Sequence, residues 1–153
     1  MTATSAPGSG PAWFEDFSVG LEFTSPSRRL WDDDVLAYVR FTNDVRSVLD
    51  TPGHDRLRVP DMYLFSLSVG LLLHGTPGYI PDKFVAFFGF DTIEFRAAAH
   101  TGDVMCSVAR VIATTERGRN GVVTYEHEAR DDAGRQLVTS THRILVARRN
   151  TDV

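Results

Sequence analysis

The run DMYLFSLSVGLLLHG at 61–75, apolar on nearly every face of a helix, constrains this 153-residue chain most. A helix apolar all round has to be buried, and this one spans only about 22 Å at 1.5 Å per residue, too short for a bilayer. It therefore needs a wrapper from the same protein. Four later segments supply one: Phe84 to Phe95, Val104 to Thr115, Val122 to Arg130 and Leu137 to Val146 are rich in Val, Ile, Thr and aromatics. Gly118, the pair Asn120-Gly121, and Asp132 to Gly134 are expected to separate the last three as hairpin turns. A further helix is expected over Trp31 to Thr42, ending near Asn43, acidic at its start and carrying Val35, Leu36, Val39 and Phe41. A buried helix followed by an antiparallel meander makes an α+β domain whose sheet curls round a central helix.

Composition narrows the class. With 42% hydrophobic and 24% charged residues the chain reads as soluble and globular. Sixteen Lys plus Arg against twenty Asp plus Glu give a net charge of −4, so no basic surplus exists for nucleic acid or an anionic membrane. Cys106 is the sole cysteine, which excludes an intrachain disulfide and a Cys cluster. Residues 1–12 hold little to bury and read as a flexible tail, leaving one domain over 13–149. The opening MTATSAPGSGPAW has no basic region followed by an apolar one, so the expected location is the cytoplasm.

Residues 44–60 carry two prolines, a glycine and alternating charges, and read as an irregular loop of the kind that holds functional groups. Asp44 can be a general base, a general acid or a plain loop residue. Arg46 is its natural counter-ion, or a group that binds a carboxylate or phosphate. His54 is the loop's one histidine. Asp61 reads as the N-cap of the buried helix. Tyr63 and Ser66 lie three apart on that helix, Tyr63 expected to line a pocket and Ser66 to bond back along the helix. His74 falls at the helix end, His100 in a turn, and His127 and His142 on strands. No pair has metal-site spacing, so neither a metal nor a cofactor is expected. Cys106 reads as a small buried hydrophobe, and Trp31, Phe65, Phe87, Phe88 and Phe90 as core or subunit-interface aromatics.

WFEDFSVG at 13–20, DDDVLAYVRFTND at 32–44, SLSVGLLL at 66–73 and FFGFDTIEFRAAAHTGD at 87–103 follow one another in a recognisable order. From about Trp13 to Val146 the chain resembles the MaoC-like acyl dehydratase and R-specific enoyl-CoA hydratase family, a hot-dog fold. The resemblance implies an opening strand and turn at 13–20, a first helix running into a catalytic Asp at Asp44, and a substrate that is an acyl thioester on CoA or an acyl carrier protein. It also implies a homodimer whose sheets join edge to edge with the pocket at the interface. In the family, D-x-N-P-x-H supplies an Asp and a His that hold water, and a backbone N–H at the start of the buried helix meets the thioester oxygen. Here Asp44 is followed by Arg46-Ser47 and by Leu49 where the His would stand, and the family's His-Gly-Met is Pro60-Asp61-Met62. The intervening segment is about six residues shorter than the family's when Ser66 is aligned with the first Ser of its helix motif. The amide of Asp61 or Met62 remains a suitable donor, because the first N–H groups of a helix have no internal acceptor. The Asp61 carboxylate would instead repel an oxyanion. His54 could swing in for the missing partner.

Three functions follow: a hydratase or dehydratase centred on Asp44, a hot-dog thioesterase using Asp61 or a specialised biosynthetic enzyme using the same pocket, and a non-catalytic binding or accessory homologue lacking the Asp-His dyad. Fifteen Arg to one Lys suits a GC-rich genome, in which relatives of this family serve lipid or polyketide biosynthesis.

Overall fold

The computed structural model describes residues 10–45 and 55–149. A 3-10 turn at Phe14–Asp16 precedes β1 (Glu22–Thr24), β2 (Arg28–Arg29), α1 (Asp32–Thr42), α2 (Asp61–Gly75), β3 (Phe84–Phe95), β4 (Val104–Arg117), β5 (Asn120–Asp131) and β6 (Gln136–Ala147). All strands join one antiparallel sheet in the order β1-β4-β5-β6-β3, with β2 also on β4.

The alternation of the long strands makes one face of this sheet the core. Ser107, Ala109 and Val111 of β4, Tyr125, His127 and Ala129 of β5, and Ser140, His142 and Ile144 of β6 are buried, whereas Arg110, Glu126 and Arg143 between them are exposed. α2 packs over that face against β4 and β5. β3, at the sheet edge, pairs with β6 through three register shifts. Each such bulge adds local twist and bends the strand, which lets the sheet curl around α2.

The curl covers α2 from one side only. Leu64, Phe65, Ser68 and Leu72 are buried, but Met62 is 49% and Leu73 44% exposed, so the expectation that the chain wraps this helix completely is corrected. In α1, Val35 and Val39 are buried one turn apart, while Phe41 is 91% exposed because it falls off that narrow stripe. α1 ends at Asn43, which takes the left-handed conformation (φ 59°) and donates its N–H to the Val39 carbonyl at 2.8 Å.

Two local expectations also give way. Residues 13–20 form no strand: the Asp16 carboxylate accepts the N–H groups of Ala12 and Trp13 at 3.0 and 2.9 Å and closes a 3-10 turn instead. The β4–β5 hairpin turns at Gly118-Arg119, with Gly118 at φ 60°, so Asn120 and Gly121 belong to β5. Gly121 is glycine for packing, because a methyl there would overlap the Phe14 ring. Ala12, inside the segment read as a tail, accepts the Lys83 N–H at 3.0 Å.

Candidate functional site

The irregular segment before α2 is fastened to the loop after β3. Val59 N–H donates to Ala99 carbonyl, Thr101 N–H donates to Leu57 carbonyl, Leu57 N–H donates to Thr101 Oγ1, and Arg56 pairs with Asp103. This holds Pro60, extended at φ −57° and ψ 134°, as the N-cap of α2, and its carbonyl accepts the Leu64 N–H at 3.0 Å. Asp61 is therefore the first residue inside the helix, not its N-cap, and its carboxylate lies 3.6 Å from Arg58. The first N–H groups of α2 remain unused by the helix, with the positive end of its dipole behind them.

α1 ends beside this point. The Tyr38 ring packs on Tyr63 of the first turns of α2 with centroids 5.2 Å apart. Asp44, half-buried one residue past the α1 cap, is near enough for its charge to push the Tyr38 phenol upward, after burial, which contributes more. Burial, then the charge of Asp34, raises Tyr63 in the same direction. Both phenols therefore stay protonated and neutral near pH 7, as hydrogen-bond donors.

Further along α2 lies an apolar cavity of about 280 Å³, lined by Val69, Leu73, Tyr79, Ile80, Phe84, Phe87, Phe90, His142 and Ile144. Its one polar feature is a pair: Tyr79 Oη lies 2.7 Å from His142 Nε2. Burial lowers His142 to about 4, against a small opposing effect of Asp91, and raises Tyr79 above its usual range. His127, beneath Phe65, is likewise lowered to about 4 by burial and then by His142. Its Nδ1 sits 2.9 Å from Ser140 Oγ. Among the described residues, His142 Nδ1, His127 Nε2 and Ser107 Oγ are buried without a hydrogen-bond partner. A more open depression of about 730 Å³ lies at the start of α1, lined by Asp32, Asp33, Asp34, Asp55, Arg28 and Arg56 among others, and two of its charges, Arg28 and Asp34, already pair at 2.8 Å.

No protein-family model matches this sequence, and no curated protein matches it. Solved structures do match. A MaoC-like dehydratase from Rhodospirillum rubrum superposes with a TM-score of 0.76 at 19% identity, over 90% of this chain and 98% of its own. An unliganded R-hydratase from Pseudomonas aeruginosa gives 0.71 at 15% identity, over 91% and 88%. A Mycobacterium tuberculosis protein with a double hotdog fold gives 0.74 at 15% identity, over 94% of this chain and 46% of that one. This chain has the hot-dog fold.

Within the hot-dog domain, Asp44 follows the end of α1 and Asp61, Met62 and Tyr63 open α2, with Met62 half-exposed. Arg46 and His54 lie outside the described residues. Ser66 is exposed, and the back-bond expected of it is made by Ser68, whose Oγ donates to the Phe65 carbonyl at 2.7 Å. Cys106 is half-buried, where a buried side chain was expected. Of the five aromatics expected in core or interface, Phe65 is buried and Trp31, Phe87 and Phe88 are exposed. Among the described residues no group of three His, Cys, Asp or Glu could hold a metal ion, and no helix is long and apolar enough to cross a membrane. Sequence reasoning passed over Tyr38 and Tyr79, and took His127 and His142 only as strand histidines. Both histidines stand in phase with the buried positions of β5 and β6, and that phase was the available signal.

Proposed function

We propose that this hot-dog chain is a MaoC-like dehydratase or hydratase acting on an acyl thioester carried by CoA or an acyl carrier protein, as a cytoplasmic homodimer in lipid or polyketide biosynthesis. One observation supports the reading: the Tyr38 ring of α1 packs on Tyr63 in the first turn of α2, and the charge of Asp44, just past the end of α1, acts on that same Tyr38. The likeness to a MaoC-like dehydratase and an R-hydratase supports it. Hydration of an enoyl thioester needs a base for water and donors for the charge that builds on the thioester oxygen. Asp44 serves as the base, the Asp61 and Met62 amides as the donors, and the neutral phenols of Tyr38 and Tyr63 as further donors at the same end of α2. The apolar cavity along α2 takes the acyl chain. The edge strand β3, with Phe84, Val85, Phe87, Phe88 and Phe95 exposed, supplies the dimer face.

Leu49 in the place of the family's His favours a second reading, a homologue that binds the thioester and turns nothing over. The test is an assay with short and medium enoyl-CoA thioesters that follows loss of conjugated absorbance and, in parallel, free thiol. Hydration is expected, with no thiol released, and Asp44→Asn should abolish it while leaving the melting temperature unchanged. Thermal stabilisation by the thioester without turnover would establish the second reading. Thiol release would instead assign Asp61 as the activating carboxylate of a thioesterase.

A further inference from the structure

We propose that the apolar cavity along α2 takes a neutral aromatic ring, so that the preferred acyl chain ends in an aryl group rather than in a plain alkyl tail. The inference rests on the acyl-thioester reading and goes beyond it in naming the tail of that chain.

The irregularity of β3 makes the lining. Residues three apart on a regular strand point to opposite faces. In β3 the pairing with β6 shifts between Phe84 and Ala86 and again between Phe87 and Gly89, and each shift inserts one extra residue. Phe84, Phe87 and Phe90 consequently stand opposite Val146, Ile144 and His142, the alternate residues that β6 buries. All three phenylalanines line the one cavity. Their rings already meet there: Phe87 and Phe90 lie with centroids 5.1 Å apart at 61°, and Phe90 and His142 5.3 Å apart at 57°. Tilted and edge-to-face contacts are the ones aromatic rings prefer, and a ligand ring entering beside these gains them, whereas a saturated ring of the same size does not.

Size and polarity fit a ring as well. The cavity's 280 Å³ is nearly twice the roughly 150 Å³ that holds benzene, which leaves space for the carbons that carry the ring. No charged side chain lines it among the described residues, and the Tyr79 hydroxyl is taken by His142 at 2.7 Å, so a charged or hydroxylated ring would be left unpaired. From Met62 to Val69 is seven residues, about 10 Å along the helix axis, which is roughly the reach of a hexanoyl chain with a terminal ring.

The experiment measures, by calorimetry, binding of the N-acetylcysteamine thioesters of 6-phenylhexanoic and 6-cyclohexylhexanoic acids to the full chain and to Phe87→Leu/Phe90→Leu. The phenyl compound is expected to bind at least about fivefold more tightly to the parent protein, and the double variant should bind the two within about twofold of each other. A preference kept by the double variant would overturn recognition by these rings. Equal binding of the two thioesters by the parent, or tighter binding of the cyclohexyl compound, would overturn aryl recognition and leave the thioester reading standing. If neither thioester binds, the thioester reading falls and butylbenzene against butylcyclohexane tests the cavity alone: preference for butylbenzene supports aromatic recognition, and no preference or no binding overturns it. Should the double variant fail to fold, nuclear Overhauser contacts between the phenyl protons of the ligand and the Phe87 and Phe90 rings of the parent protein decide. Their presence supports the proposal and their absence refutes it.

Discussion

Acidification from pH 7 to pH 5 is predicted to remove about 4 kcal/mol of folding stability through His127 and His142. Both are buried and neutral in the native state, with values lowered from 6.5 to about 4 by burial. Between those two values the unfolded chain binds protons that the folded chain refuses, so stability is full above pH 6.5 and is lost as the pH falls toward 4. Integrating over the window gives about 2 kcal/mol per histidine at pH 5, a large share of the 5–15 kcal/mol of a typical domain. Carboxylates do not confuse the window. Asp16 and Asp131 are held low despite burial, chiefly by backbone N–H donors and then by Arg149 and Arg135, so their contribution is lost only when the pH falls below their ordinary 3.8. Urea titrations at pH 7, 6 and 5 should show the midpoint falling by roughly 2 M in all. His127→Gln should halve the pH dependence whatever it does to stability at pH 7. A midpoint that moves by less than about 0.5 M would refute burial of two neutral imidazoles.

Gly121→Ala should cost about 1–3 kcal/mol in a urea titration, because the added methyl meets the Phe14 ring. Asn43→Gly should leave stability unchanged or raised, whereas Asn43→Val should lower it by about 1–2 kcal/mol, since a branched side chain resists φ 59°. Sedimentation at micromolar concentration should give twice the 17.0 kDa chain mass, and Val85→Lys on the edge strand should shift it toward the monomer.

Residue composition between turn signals carried most of the fold. Enrichment in Val, Ile, Thr and aromatics between turn residues located β3 to β6 to within a residue or two, and the bounds of β3 and α2 match the expected ones. The failures share a cause. Asn120-Gly121 has the chemistry of a hairpin turn, yet the turn two residues earlier, at Gly118-Arg119, satisfies the register and leaves Gly121 to make room for Phe14. The stretch at 13–20 has strand-forming aromatics, but the Asp16 side chain captures two backbone donors first. Hydrophobicity said that α2 must be covered and could not say from how many sides. At the proposed site, Asp44 and the residues that open α2 were singled out from the sequence, whereas the Tyr38–Tyr63 contact between the helices was not. The Tyr79–His142 pair joins groups 63 positions apart, and the proline- and glycine-flanked segment that delivers Tyr79 carries no pattern of its own.

The substitution of Leu49 narrows the chemistry that the α1–α2 junction can perform. Tyr38 and Tyr63 are raised by burial and by neighbouring carboxylates, so they hold their protons near neutral pH and act as donors rather than as bases. Under the hydratase reading the backbone amides that open α2 donate too. Among the described residues Asp44 is then the one carboxylate just past the end of α1, and under the hydratase reading it handles the proton alone. It takes the proton from water as the oxygen bonds to the β-carbon, and returns the same proton to the α-carbon as the enolate held by the α2 amides collapses. Atoms and charge balance with a single shuttle, and both new bonds form on the face of the double bond that Asp44 addresses. A second protein acid is needed only when the two protons must move on opposite faces. On this argument, loss of the histidine is compatible with catalysis of same-face addition, whereas loss of Asp44 is compatible with none.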